Sequence, residues 1–314
     1  TRARLIFVRA ARAGFERFLR TLEASEKSLT EGFRNDIQRI ERFDLLTAAE
    51  QFQAFRADKD WKSGRVELVF HPTSYSPDAQ FKYLAALLKG TKPRRRMRAY
   101  PDGPAFVSCV LTADELNQLA NVNPLRTAHP LQFGGFDKLR TAPSVDAPPP
   151  PVTATRSTIR VGVFDGGVDV SHPYLVGHVE QDEALSVKNA ADPDCVAHGT
   201  AVVGAVLYGA LNDHDSRMPL PPPPVSVVSV RVFPSTDPGD PDLYEAIDLI
   251  ESAVPARPDV KFWNVSFGPH GPIWDDTISR FTYVLDSLAA SHKVGFCVAV
   301  GNDGRLAEPW SRIQ

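Results

Sequence analysis

Between residues 159 and 300 the chain alternates short apolar runs with segments long enough to form helices. The runs are Ile159–Phe164 (IRVGVF), Val225–Phe233 (VSVVSVRVF), Val260–Ser266 (VKFWNVS) and Gly295–Val300 (GFCVAV). They are rich in Val and Phe and nearly uninterrupted, the pattern of strands buried on both faces of a parallel sheet. The intervening segments, about His198–Leu207, Asp242–Ser252 and Asp275–Ser291, read as helices. That alternation confines the second half of the chain to an α/β class, a doubly wound and mostly parallel sheet. Ligands of such sheets gather at the carboxyl ends of the strands. The residues just past each run are therefore where chemistry is expected.

Asp165 follows the first run and is itself followed by Gly166-Gly167. It reads equally well as a turn cap or as a functional carboxylate at a strand end. His198 opens the segment HGTAVVG, with Asp194 or Ala197 at the start of its helix, and small residues at Gly199, Ala201, Gly204 and Ala205 allow that helix to approach the sheet. An imidazole exchanges protons near neutral pH, which suits it to serve a nucleophile, although a lone His is more often structural. The last run ends in Gly301-Asn302-Asp303-Gly304, a turn sequence whose Asn can also offer its amide N–H₂ to a developing oxyanion. An acid, a base and an amide donor are three of the four groups that serine-based acyl transfer needs.

These segments resemble the motifs of the subtilisin-like serine peptidases, the subtilase family. The Asp motif is matched by VGVFDGGVDVSHPYL, the His motif by HGTAVVG, the substrate-binding strand by FWNVSFG (Phe262–Gly268) and the oxyanion Asn motif by AVGNDG. The resemblance covers about residues 158–305. It implies that Asp165 orients His198, that His198 acts as general base and then acid, that Asn302 donates to the oxyanion, and that Ser266, Phe267 and Gly268 pair with substrate backbone. Two departures stand out. Ala201 replaces the second His often found after the HGT triplet. The family's Gly-Thr-Ser-x-Ala-x-Pro nucleophile segment does not occur among the residues after Asn302; Ser311 lacks its glycine-threonine approach, and Ser266 belongs to the substrate strand. The expected activity is endopeptidase hydrolysis by an Asp/His/Ser triad, with the serine supplied by a C-terminal remainder of the same domain. The alternative is a non-catalytic peptide-binding or regulatory relative.

A net charge of −3 over 314 residues argues against nucleic acid or an anionic membrane as the general partner. No run approaches the ~20 apolar residues of a membrane span. The expected partner is a protein or peptide substrate, with no cofactor and no metal. The expected location is the cytoplasm, or the exterior if a signal sequence has been removed. Cys109, Cys195 and Cys297 are too few for a disulfide framework. Cys109 and Cys297 read as small buried residues, and Cys195 as pointing away from a scissile bond.

Residues 1–140 read as a smaller α+β domain, 141–158 as a proline-rich linker containing Pro148–Pro151, and 159–314 as the peptidase domain. In the first, strands are expected at Arg4–Val8, Arg65–Phe70, Ala105–Leu111 and Val122–Arg126, and helices at Phe15–Leu22, Phe33–Phe55 and Asp78–Leu88. Thr112-Ala113-Asp114-Glu115 is a capping-box start for a further helix. This mixture resembles the propeptide of the family, with a partner-binding or sensor domain as the alternative. The basic run Lys92-Pro93-Arg94-Arg95-Arg96-Met97-Arg98 reads as a solvated loop, or as a patch for an acidic partner.

Overall fold

The computed structural model describes residues 11–24, 26–40, 60–72, 96–101, 103–120, 124–131, 147–152, 156–211, 213–236, 243–268 and 278–299, with single positions at 52, 55, 82, 86 and 122. The chain divides into two compact units, Thr1–Leu46 and Thr47–Gln314. The first holds α1 (Arg12–Glu23) and α2 (Glu31–Ile37). The Thr30 hydroxyl caps α2 by accepting from Phe33 N–H, and the rings of Phe18 and Phe33 meet edge to face at 6.2 Å. The helix expected over 33–55 is not continuous: α2 ends at Ile37, capped at Gln38, and 38–40 are non-helical; 41–51 lie outside the described residues, as do Arg4–Val8 and most of 78–88.

The second unit opens with an antiparallel sheet ordered β2–β3–β1–β4, made of β1 (Ser63–Phe70), β2 (Arg96–Ala99), β3 (Ala105–Thr112) and β4 (Leu125–Pro130). Successive side chains of a strand face opposite ways. Val66, Leu68 and Phe70 of β1 join Val107, Cys109 and Leu111 of β3 in a core closed by α3 (Ala113–Leu119). Thr112 and Glu115 form the expected capping box at the start of α3. The alternate residues Val69 and Phe106 enter a different core, described next. The basic run is not simply a solvated loop. Its described part, Arg96–Arg98, belongs to β2, and Arg98 is ion-paired.

The second sheet is ordered β6–β7–β5–β8–β9 and every neighbouring pair is parallel. Its strands are β5 (Arg160–Asp165), β6 (Val179–Gln181), β7 (Ser226–Arg231), β8 (Phe262–Val265) and β9 (Gly295–Val298). Helix α4 (Pro193–Tyr208) covers one face, packing Val203 and Leu207 on Val163 and Val227. Helices α5 (Tyr244–Ala256) and α6 (Arg280–His292) belong to the opposite face, where Ile247, Ile250, Val284 and Leu285 share a core with Phe164, Val228, Val230 and Trp263. The doubly wound α/β expectation holds, with the antiparallel sheet adding Val69 and Phe106 to this second core. A side chain at Gly162 would place its Cβ 2.0 Å from the Trp263 indole, so glycine there leaves room for that ring. Trp263 stacks on Phe164 at 4.5 Å.

Two details differ from the sequence reading. Helix α4 begins before His198, at Pro193, because Asp192 caps it by accepting from Asp194 N–H and Cys195 N–H, and Pro193 suits the first helical position. Cys297 is exposed rather than buried, because β9 is the last described strand of the sheet and its final residues are not covered. Part of the proline stretch, Ala147–Val152, lies along the parallel-sheet region. Tyr174 Oη donates to Pro148 O at 2.5 Å, and Leu220 N–H donates to Pro149 O at 2.9 Å.

Candidate active site

Asp165 is the last residue of β5 and has no exposed surface. Its Oδ1 accepts from Gly166 N–H at 2.7 Å, so the turn that follows the strand fixes the carboxylate. His198 sits on α4, with Nδ1 at 2.9 Å from Asp165 Oδ1 and 3.1 Å from Oδ2. The structure thus joins two residues 33 positions apart.

Glycines make the approach possible. A Cβ on Gly166 would come within 2.3 Å of Cys195 Cβ, and one on Gly199 within 2.0 Å of Gly167 O and 3.1 Å of Asp165 Oδ1. Either side chain would push α4 off the strand end. Gly167 has φ +102°, a backbone region that other residues rarely adopt, and turns the chain away just after the acid.

The aliphatic stem of Arg231 lies against Gly167, as a Cβ there would be 2.9 Å from Arg231 Cδ. Arg231 pairs in register with Asp165 and its Nη2 donates to Val187 O at 2.9 Å. Sequence reasoning missed this residue. Its signal was available: a single cation inside VSVVSVRVF, a run otherwise fit for complete burial.

Ser266, Phe267 and Gly268 leave the end of β8, whose Val265 pairs with Phe164. They therefore emerge at the same carboxyl edge as Asp165. Val265 O accepts from Ala299 N–H at 3.0 Å, and Ser266 Oγ accepts from Asn264 Nδ2 at 2.6 Å. Phe267 turns inward and is buried, its ring 4.8 Å from Phe233 and 6.2 Å from Phe281. Asn302 lies outside the described residues. Cys195 sits one turn before His198, and burial, then Asp192, Asp165 and Asp194, push its thiol up to about 11. It stays protonated at neutral pH, a poor nucleophile. Among the described residues no cluster of His, Cys, Asp and Glu is placed to hold a metal ion.

A buried carboxylate holding the Nδ1 side of an imidazole, at the carboxyl edge of a parallel sheet, is the acid–base arrangement of triad hydrolases. The model of the subtilase family matches residues 156–312, half of the chain. This chain belongs to the subtilase family. Solved structures similar to it include the patellamide maturation protease PatA, at 24% identity over 48% of this chain and 52% of that one, with a TM-score of 0.33. The prenylagaramide maturation protease PagA is 23% identical over 48% and 49%, with a TM-score of 0.33. The self-cleaved protease domain of PatA is 25% identical over 48% and 52%, with a TM-score of 0.34. The chain spans about half the length of these structures. No curated protein matches it.

Proposed function

We propose that this chain carries the acid–base part of a serine endopeptidase site. The observation that carries the reading is the Asp165–His198 pair, closed at 2.9 Å around a fully buried carboxylate. Asp165 accepts from Nδ1–H, which leaves Nε2 as the nitrogen that takes a proton from the nucleophile and returns it to the leaving amine. Asn302 donates its side-chain amide to the tetrahedral oxyanion. Ser266–Gly268 offer backbone groups to an extended peptide laid beside β8, a mode that binds main chain with little choice of side chain.

The serine comes with a C-terminal remainder of the same domain. Helix α4 supports this. Beyond Asp194 and His198 its ionisable side chains are Cys195 and Tyr208, and its outer face borders a groove of about 950 Å³ lined by Ala197, Ala201, Gly204, Ala205 and Leu220, with Asp169, His172 and Thr200 also on its wall. An outer helix face made mostly of small apolar residues beside a groove has room for further chain over it. The antiparallel sheet acts as a propeptide-like module. In support, Glu67 of β1 accepts from Arg280 N–H at the start of α6, which ties that helix start to the sheet.

The test is fluorophosphonate labelling of the full-length gene product, read by intact mass. A single adduct that disappears in His198→Ala supports the mechanism. In that product Asp165→Ala should lower kcat on a peptide substrate about 10⁴-fold. Peptide binding with neither adduct nor turnover would overturn the enzyme reading in favour of a peptide-binding relative.

A further inference from the structure

The basic run, read from sequence as a solvated loop or a patch for an acidic partner, has a counterpart on helix α5. Helix α5 presents Glu245, Asp248 and Glu251 at three-residue spacing, which places them along one stripe. Strand β2 carries Arg96 and Arg98 on one face. Arg98 Nε donates to Asp248 Oδ1 at 2.9 Å and its Nη2 reaches Asp248 Oδ2, a two-pronged pairing across 150 residues of chain. The Arg96 charge acts on Glu245. Against the burial that raises it, hydrogen bonds from Ser235 and Thr236 and the charge of Arg96 hold that carboxyl below its ordinary range.

Other charged and titratable groups meet at this junction. Arg280 of α6 is fully buried, and its Nη2 lies 2.5 Å from both Asp248 Oδ1 and Glu251 Oε2. Its Nε donates to Tyr100 Oη, just past β2, at 2.9 Å. Glu67 of β1, also buried, accepts from Tyr244 Oη at 2.6 Å and Arg280 N–H at 2.9 Å. His129 Nε2 of β4 lies 3.1 Å from the same carboxylate without hydrogen-bond alignment. The three arginines and four carboxylates of the junction nearly balance. The carboxylates of α5 gain two of their cationic partners only when β2 is in place.

We propose that the acidic stripe of α5 is a recognition site for an arginine-bearing extended strand, occupied here by β2 of the same chain. The pairing is a charge latch that holds the antiparallel sheet on α5 and α6. This deepens the reading of that sheet as a propeptide-like module and rests on it. Arg98 and Asp248 are both partly open to water, with side chains 41% and 33% exposed, so salt reaches the latch while the buried Glu67 and Arg280 are shielded. The part of the basic run before Arg96 lies outside the described residues.

The test is amide hydrogen exchange on the full chain, read by mass spectrometry, in low and high NaCl. Exchange in Arg96–Ala99 and the first turns of α5 should accelerate about threefold at high salt, the scale of a partly exposed ion pair. Arg98→Gln should give most of that acceleration at low salt and leave only the weaker salt response of the Arg96–Glu245 pairing. In an Asp248→Asn background Arg98→Gln should add nothing. The peptide acetyl-Arg-Met-Arg-Ala-Tyr-amide, added in excess at low salt, should reproduce the acceleration, and its glutamine-for-arginine version should not. Salt-independent exchange in the unmodified chain would overturn the latch even if neither variant folds. An Arg98→Gln effect that persists in the Asp248→Asn background, or a peptide without effect, would overturn the recognition. None of these readouts depends on whether the sheet inhibits peptidase activity, which the labelling experiment addresses separately.

Discussion

Gly199→Ala should damage the site from within its own helix. A Cβ at this position would lie 2.0 Å from Gly167 O, more than 1 Å inside an ordinary contact, and the obstacle is backbone rather than a side chain that can swing aside. Relief requires α4 to move off the β5 turn by about 1 Å, and the Nδ1–Oδ1 distance would stretch from 2.9 Å past the reach of a hydrogen bond. Gly204 is the control. It lies in the same helix, and nothing stands within 4 Å of a Cβ placed there. Alanine at Gly204 should stabilise by roughly 1 kcal/mol through helix propensity. Alanine at Gly199 gains the same propensity but meets an overpacking cost of about 1–3 kcal/mol. Urea unfolding of the two variants should therefore separate them by about 1–3 kcal/mol, with Gly204→Ala the more stable. On the proposed peptidase reading, Gly199→Ala in the full-length gene product should also lose about 10²-fold in kcat, the scale of a 1 Å misplacement. Equal unfolding midpoints for the two variants would refute the close-approach argument.

Glu67→Ala should destabilise the chain by about 2–4 kcal/mol, because the Tyr244 hydroxyl and Arg280 N–H lose their buried acceptor; a change under about 0.5 kcal/mol in the urea midpoint would count against it. Hydrogen bonding from Arg257 chiefly, working with Arg160 against burial, lowers Asp259 from 3.8 to about 2. Its contribution is then present above about pH 4 and lost as pH falls towards 2, so Asp259→Asn should flatten the acid limb of stability in that window, measured as urea midpoint against pH. Thiol titration of the folded chain at pH 8 should modify exposed Cys297 first, since burial pushes the Cys109 thiol up to about 12 and that of Cys195 to about 11. Mass mapping that finds Cys109 or Cys195 labelled earlier would contradict this.

The parallel sheet was legible because its central strands β5 and β7 are buried on both faces and so must be written in apolar letters. Asp165 and His198 stood out for the same reason, as polar residues where those runs end or a small-residue helix begins. The capping box of α3 was legible because all its partners lie within four residues. What escaped the sequence depends on distant partners. Strand β6 is three residues of Val-Glu-Gln, too short and too polar to signal itself, and forms because β7 is beside it. Strand β2 reads as a basic loop until Asp248 supplies the charge that receives Arg98. Glu67 is one acid in an apolar strand, and its partners are 177 and 213 residues away. The start of α4 is set by Asp192, a cap six residues before His198 in a polar stretch with two acids, Asp192 and Asp194, that could each cap a helix.

The docked proline stretch has one more consequence. Its carbonyls at Pro148 and Pro149 are fastened by Tyr174 and the Leu220 amide, but a proline has no N–H to offer in return. The strap therefore accepts hydrogen bonds and donates none from its prolines. A segment of ordinary residues laid along a surface in this extended form would expose a ladder of donors and acceptors and invite a second strand to zip onto it, within the molecule or from another copy. Four consecutive prolines, Pro148–Pro151, permit a stretch that is held in place yet cannot seed a sheet.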